Sequence, residues 1–143
     1  MYSLLKIEQR NKVLKRMAAL LKQESAALIF ANQTDLKSFD ENDLAMYDRL
    51  KVDDEKIEGM IASLNQLAVQ EDPLERELFH FTHENGLQIF NRTAAFGTVM
   101  IIYESRPDVT VEAAGIAFKS GNKILLKGGK EAYRSNKTIV DLW

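Results

Sequence analysis

The 143-residue sequence contains no cysteine. That excludes a disulfide framework, a thiolate metal site and a cysteine nucleophile from this chain. No apolar run approaches the about 20 residues that a membrane-spanning helix needs. The opening stretch MYSLLKIEQRNK has no long apolar core of the secretory kind, and a cytoplasmic protein is the natural reading. Internal repeats and low-complexity segments are lacking too. There are only two histidines. His80 and His83 alternate with apolar residues in a strand-and-turn region with no third ligand nearby, which reads as structural rather than metal-binding. Neither a GxGxxG fingerprint nor the spacing of a P-loop is present.

A large basic excess is also missing. The net charge is −2, and a general nucleic-acid binder normally carries a marked positive balance. The charge is unevenly placed, however. Residues 1–80 hold 11 basic and 15 acidic side chains, and residues 81–143 hold 8 and 6. Six basic residues and one acidic residue fall between Lys119 and Lys137. That local density suits capture of a small anionic ligand. Hydrophobic residues at 45% and charged residues at 28% make a globular composition. The length suits one ordinary domain with a real core.

The apolar pattern divides the chain. Val13, Met17, Leu20, Leu21 and Leu28 fall on one stripe at helical spacing. The polar run NQTDLKSFDEND then predicts a break. A second amphipathic helix follows VDDE, where Asp53, Asp54 and Glu55 suit the positive end of a helix dipole. Its stripe is Ile57, Met60, Ile61, Leu64 and Leu67, and Pro73 lies in the acidic loop beyond. From Leu78 the period shifts toward 2. LFHFT and LQIFNRT flank HENG, whose Asn85-Gly86 pair signals a hairpin. GTVMIIYES reads as a buried strand. VTVEAAGIAFKSGN reads as a helix, started by Asp108 or Thr110 and stopped at Gly121. KILL is a second short strand, and KEAYRSNKTIVDLW begins one or two further helices. Strand, helix, strand, helix from Thr98 onward is the order of a parallel sheet with helical crossovers. Two strands make a very small sheet with open edges. The expectation is therefore an α/β protein of which this is the front part.

Ligands of such sheets gather at the carboxyl ends of the strands. Two loops qualify, YESRPDVT and KGGKEA. In the first, Arg106 can bind two oxygens of a phosphate or carboxylate at once. The same guanidinium could instead pair with Glu104 or Asp108 at the surface, and the sequence leaves both open. Pro107 stiffens that turn. In the second loop, Gly128 and Gly129 leave room for close approach of a ligand to the backbone. Lys127 at the strand end would meet a ribose or phosphate oxygen. A plain glycine turn with a solvated lysine is the competing reading.

The block IIYESRPDVTVEAAGIAFKSGNKILLKGGKEAYRSN closely resembles the start of the cofactor domain in the γ-glutamyl phosphate reductase family, within the aldehyde dehydrogenase superfamily. RNKVLKRMAALL, ANQTDL and MYDRLKVDDEKIEGM resemble that family's first helix, following turn and next helical pair. The resemblance covers almost the whole chain. It departs at Asp108, where the family usually has asparagine, and at Ala95, where it usually has proline.

The resemblance implies an aldehyde dehydrogenase-like fold in three segments. These are N-terminal helices over 1–77, an oligomerisation-type hairpin over 78–95, and the start of a Rossmann-like NADP-binding domain over 96–143. It implies NADPH-dependent reduction of γ-glutamyl phosphate to glutamate 5-semialdehyde, with release of phosphate, in proline synthesis. A cysteine elsewhere in a longer protein would carry the covalent step. Cofactor-binding residues would be Lys127, Gly128, Gly129 and Ser105, and substrate-loop residues Arg106 and Pro107. Self-association would run through the hairpin, with neither nucleic acid nor membrane as partner. A stand-alone interaction module and another aldehyde or acyl dehydrogenase are the alternatives. The segment YESRP argues against the latter.

Overall fold

The computed structural model describes residues 5–39 and 43–143. The last part of the predicted polar break, 40–42, and the first four residues of the chain lie outside the described residues. In chain order the elements are α1 (Ile7–Gln23), α2 (Ser25–Leu36), α3 (Leu44–Leu50), α4 (Asp54–Val69), β1 (Glu77–Thr82), β2 (Gln88–Arg92), β3 (Thr98–Ile102), α5 (Pro107–Lys119), β4 (Lys123–Lys127) and α6 (Tyr133–Val140). A 3₁₀ turn, Lys130–Ala132, leads into α6.

The first helical stripe is turned relative to the expected one. Val13 is exposed, while Leu14, Met17, Ala18 and Leu21 are buried. The stripe begins with Arg10, a residue whose charge disguised its place on the inner face. The helix also interrupts at Glu24, so Leu28 belongs to α2. The predicted break at Asn32 comes too early, because α2 runs on to Leu36. On α4 the buried positions are Ile57, Met60, Leu64 and Ala68, with Ile61 and Leu67 packed at the margin. Asp53 caps this helix by accepting from the Lys56 N–H at 3.0 Å.

One hydrophobic cluster ties the chain together. Leu14, Met17, Leu21, Leu28, Ile57, Met60 and Leu64 meet Val111 from α5 and Ile139 from α6. Two buried polar knots join the same elements. In the first, Arg10 donates to the Leu5 carbonyl at 3.0 Å, to Asp72 Oδ2 at 2.6 Å and to the Lys119 carbonyl. Lys119, itself buried, donates from Nζ to Asn11 Oδ1 at 2.7 Å and to the Gln70 carbonyl at 2.9 Å. Burial pushes its ammonium pKa down; Asp72 opposes that shift and Arg10 adds to it. In the second knot, Asn32 accepts from the Val52 N–H at 2.7 Å and donates to the Leu50 carbonyl at 2.8 Å. Satisfied in this way, buried polar groups fix the register of the helices around them.

β1 and β2 form an antiparallel hairpin with an irregularity between Glu77 and Phe79. Its turn is longer than the two-residue turn that the Asn85-Gly86 pair signals, since His83 pairs with Leu87 across residues 84–86. The Gly86 N–H donates to the His83 carbonyl at 2.8 Å, and only Gly86 has positive φ, +86°. This is a type I turn closed by a left-handed glycine. Almost every hairpin side chain is exposed, including Leu78, Phe79, Phe81, Leu87 and Phe90.

β3 and β4 pair in parallel, Thr98 opposite Lys123 through Ile102 opposite Lys127. The continuous apolar run of β3 predicts burial on both faces, but only alternate residues are covered. Val99, Ile101, Ile124 and Leu126 are half-buried, while Met100, Ile102 and Leu125 face outward. One face has no layer over it among the described residues. α5 ends as expected at Gly121, with φ +70°. The Gly121 N–H returns to the Phe118 carbonyl at 3.1 Å and the Asn122 N–H to that of Ala117 at 2.8 Å. That double closure needs a left-handed residue, which glycine supplies without strain. Its start differs from expectation. Arg106 stands at the cap and Pro107 at the first helical position, with no side-chain cap. Thr110 is instead buried and used elsewhere.

Candidate functional site

The two loops expected to carry chemistry do meet, at the carboxyl ends of β3 and β4. The Tyr103 N–H donates to the Lys127 carbonyl at 3.0 Å, extending the parallel pairing past the strands. An open groove of about 310 Å³ lies there, lined by Tyr103, Lys127, Gly128, Gly129, Tyr133, Asn136 and Lys137. Lys127 is exposed at its edge and takes no part in the salt bridges found among the described residues. Lys137 is held by Asp141 one turn on, at 2.7 Å.

The glycine pair has a reason that the sequence does not reveal. A Cβ on Gly128 would lie 2.5 Å from Asn136 Nδ2 and 3.0 Å from the Tyr103 ring. One on Gly129 would overlap Ser105 Oγ and stand 2.9 Å from Glu131 Oε2. The space expected to admit a ligand is thus taken by the protein's own side chains. These glycines let the β4 turn press against the β3–α5 loop.

Ser105 is buried at that contact, and its hydroxyl donates to Glu131 Oε2 at 2.7 Å. The hydroxyl holds the Glu131 carboxyl below its usual range, aided by a backbone N–H. Ser105 therefore joins the two loops. Pro107 is buried at the helix start. Arg106 pairs with Asp108 Oδ2 at 2.8 Å, the surface arrangement that the sequence left open. The Asp108 hydrogen bond raises the guanidinium pKa further. Glu104 pairs instead with Arg49 of α3, at 2.9 Å. The histidines lie in the hairpin away from this groove, His80 Nδ1 at 2.6 Å from Glu77 and His83 Nδ1 at 3.1 Å from Asn85.

Tyr103, Tyr133 and Asn136 line the groove but were not singled out from the sequence, nor was Glu131, which holds Ser105 beside it. Tyr103 Oη lies 2.6 Å from Thr110 Oγ1, and the Thr110 hydroxyl donates to Asn136 Oδ1 at 2.8 Å. Burial raises the Tyr103 pKa, and the Thr110 contact partly offsets it. The polar Tyr-Glu-Ser run after β3 and the Ser-Asn pair in α6 are the only sequence signals that point to them.

No family model matches the chain. Individual proteins do. A gamma-glutamyl phosphate reductase from Nautilia profundicola is 44% identical over 137 residues, which is 94% of this chain and 33% of that protein. One from a Sulfurovum species is 42% identical over 133 residues, 92% of this chain and 32% of that protein. The homologues of this chain are gamma-glutamyl phosphate reductases. The fold agrees with theirs. The solved gamma-glutamyl phosphate reductase of Thermotoga maritima superposes with a TM-score of 0.91 at 36% identity, over 96% of this chain and 34% of that one. The Saccharomyces cerevisiae gamma-glutamyl phosphate reductase gives 0.89 at 30% identity. This chain spans about a third of the length of the reductases it matches.

Proposed function

We propose that this chain is the part of an NADPH-dependent γ-glutamyl phosphate reductase that holds the adenosine half of the cofactor. The observation that carries the reading is the exposed Lys127 ammonium at the carboxyl end of β4, beside an open groove, in a chain whose homologues are reductases of this name. A strand-end cation is suited to a ribose phosphate. Lys127 would bear on the 2′-phosphate. Gly128, Gly129 and Ser105 would shape the loop around the cofactor, through the packing already described. Arg106 and Pro107 would stand on the substrate side, Arg106 after release from Asp108.

Bound NADPH supplies hydride. The acyl group of γ-glutamyl phosphate must pass to a nucleophile that this chain does not contain, because it has no cysteine. What the chain's own residues do is bind and orient. On this reading residues 1–77 support the cofactor segment, 78–95 form an oligomerisation hairpin, and 96–143 open a Rossmann-like domain. The core cluster spans the first and last of these. The proposed setting is the cytoplasm, as for a proline-synthesis enzyme. Among the described residues no helix is long and apolar enough to cross a membrane.

The test is the reverse reaction, phosphate-dependent oxidation of glutamate 5-semialdehyde with NADP⁺. A protein carrying this chain and extending to the length of its relatives should catalyse it. The 143-residue chain alone should not. Turnover by the pure chain, or oxidation independent of phosphate in the longer protein, would overturn the reading.

A further inference from the structure

Asn136 is the one side chain in the groove whose amide is held from behind. Thr110 is fully buried, and its single hydroxyl proton goes to Asn136 Oδ1 at 2.8 Å. Tyr103 Oη, 2.6 Å from the same hydroxyl, must then be the donor to it, since a hydroxyl has only one proton to give. The run of hydrogen bonds therefore has a direction, from Tyr103 through Thr110 to the Asn136 carbonyl oxygen. The amide nitrogen is turned the other way, toward Gly128, where a Cβ would lie only 2.5 Å from it. Gly128 is the residue that lets the amide stand there. The sequence places Asn136 next to Ser135, whose hydroxyl and N–H are both spent on Asp35. Asn136 is thus the member of the Ser-Asn pair left to face the groove.

We propose that Asn136 is a further ligand-binding residue, donating from Nδ2 to an oxygen of the phosphorylated ribose held in the groove, with Thr110 and Gly128 fixing its orientation. The inference rests on the reading of the groove as the adenosine site of NADP. An amide locked in this sense offers hydrogen to an acceptor and rejects another donor. A phosphate or ribose oxygen is the acceptor that the neighbouring Lys127 would bring. No covalent step is involved.

The test is equilibrium binding of NADPH to the protein that carries this chain at the length of its relatives, read by calorimetry alongside thermal melting. Asn136→Asp keeps the oxygen that Thr110 needs and turns the donor into a negative acceptor. It should weaken NADPH at least about tenfold, as expected for a lost bond to a charged group, with the melting temperature little changed. Lys127→Ala separates the two claims. If Lys127→Ala weakens binding and Asn136→Asp does not, the groove is the cofactor site but Asn136 is not a ligand. A lower melting temperature with unchanged affinity in Asn136→Asp would make the residue structural, and would overturn the inference. If that unaltered protein binds no NADPH, the reading of the groove falls and this inference falls with it.

Discussion

The Asp35 carboxylate accepts both the backbone N–H and the hydroxyl of Ser135, each at 2.8 Å, although the two residues are 100 positions apart. It also accepts the Arg134 N–H at 3.2 Å. A residue at the end of α2 therefore caps α6, the helix that carries Asn136 and Lys137 to the groove. The capping group comes from another element, which is why α6 needs no local cap of its own.

Removing that cap should loosen the site as well as the fold. Asp35→Ala leaves three donors without an acceptor at a buried helix start. A loss of about 2–4 kcal/mol in urea unfolding is expected, from a lost cap and unsatisfied buried groups. Asp35→Asn, which keeps one acceptor oxygen, should lose less. Equal stability of the Asp35→Ala variant and the unaltered chain would show that the carboxylate is not the cap.

Acid should act through Asp72. Burial pushes its carboxyl pKa up, but the Leu74 N–H and the Arg10 guanidinium outweigh that and hold it below its ordinary value. A carboxyl lowered in the folded state stabilises fully above its unfolded pKa, about 3.9. The stabilisation is lost as pH falls through the folded value. Urea midpoints should therefore fall progressively below about pH 4. Arg10→Met or Asp72→Asn should make that fall shallower. An unchanged slope in both variants would remove Asp72 from the account.

How much of this was legible depended on whether a residue's role follows its type. Apolar spacing located the helices, and Asn85-Gly86 and Gly121 marked a turn and a helix stop where positive φ was needed. Charged and amide residues misled. Arg10, Asn32, Asp35 and Lys119 look like surface or turn residues, yet all four are buried, satisfied by partners between 18 and 109 positions away. Local pattern carries no trace of such distant partners. Val13 and Leu14 exchanged roles because both fit an apolar stripe, and it is Leu14 that packs into the cluster with α4. At the site, the sequence put Lys127, Gly128 and Gly129 in one loop and the resemblance put Ser105 in the other, and the structure packs the two loops together. Tyr103 and Asn136 were not singled out, because their meaning arises only when α6 returns to the end of β3.

The hairpin should drive self-association. Leu78, Phe79, Phe81, Leu87 and Phe90 present an apolar surface that nothing covers among the described residues. Patches of this kind mark interaction sites. Sedimentation velocity across a concentration series should show dimers or larger species, and Phe79→Glu with Phe81→Glu should shift the chain toward monomer. A monomer at every concentration would contradict the assignment of 78–95 to subunit pairing.

The most direct measurement is the dissociation constant of NADPH and of NADH for Lys127→Ala in the longer protein carrying this chain, the proposed reductase. A charge-assisted contact to the 2′-phosphate is worth roughly 1.5–3 kcal/mol. NADPH should therefore weaken about tenfold to a hundredfold, while NADH changes little and the chemical step is nearly unaffected. Lys123→Ala, at the other end of β4, serves as the control and should leave both constants in place. An unchanged NADPH constant in Lys127→Ala would make Lys127 a solvated turn residue, and would contradict the placement of the cofactor at the end of β4.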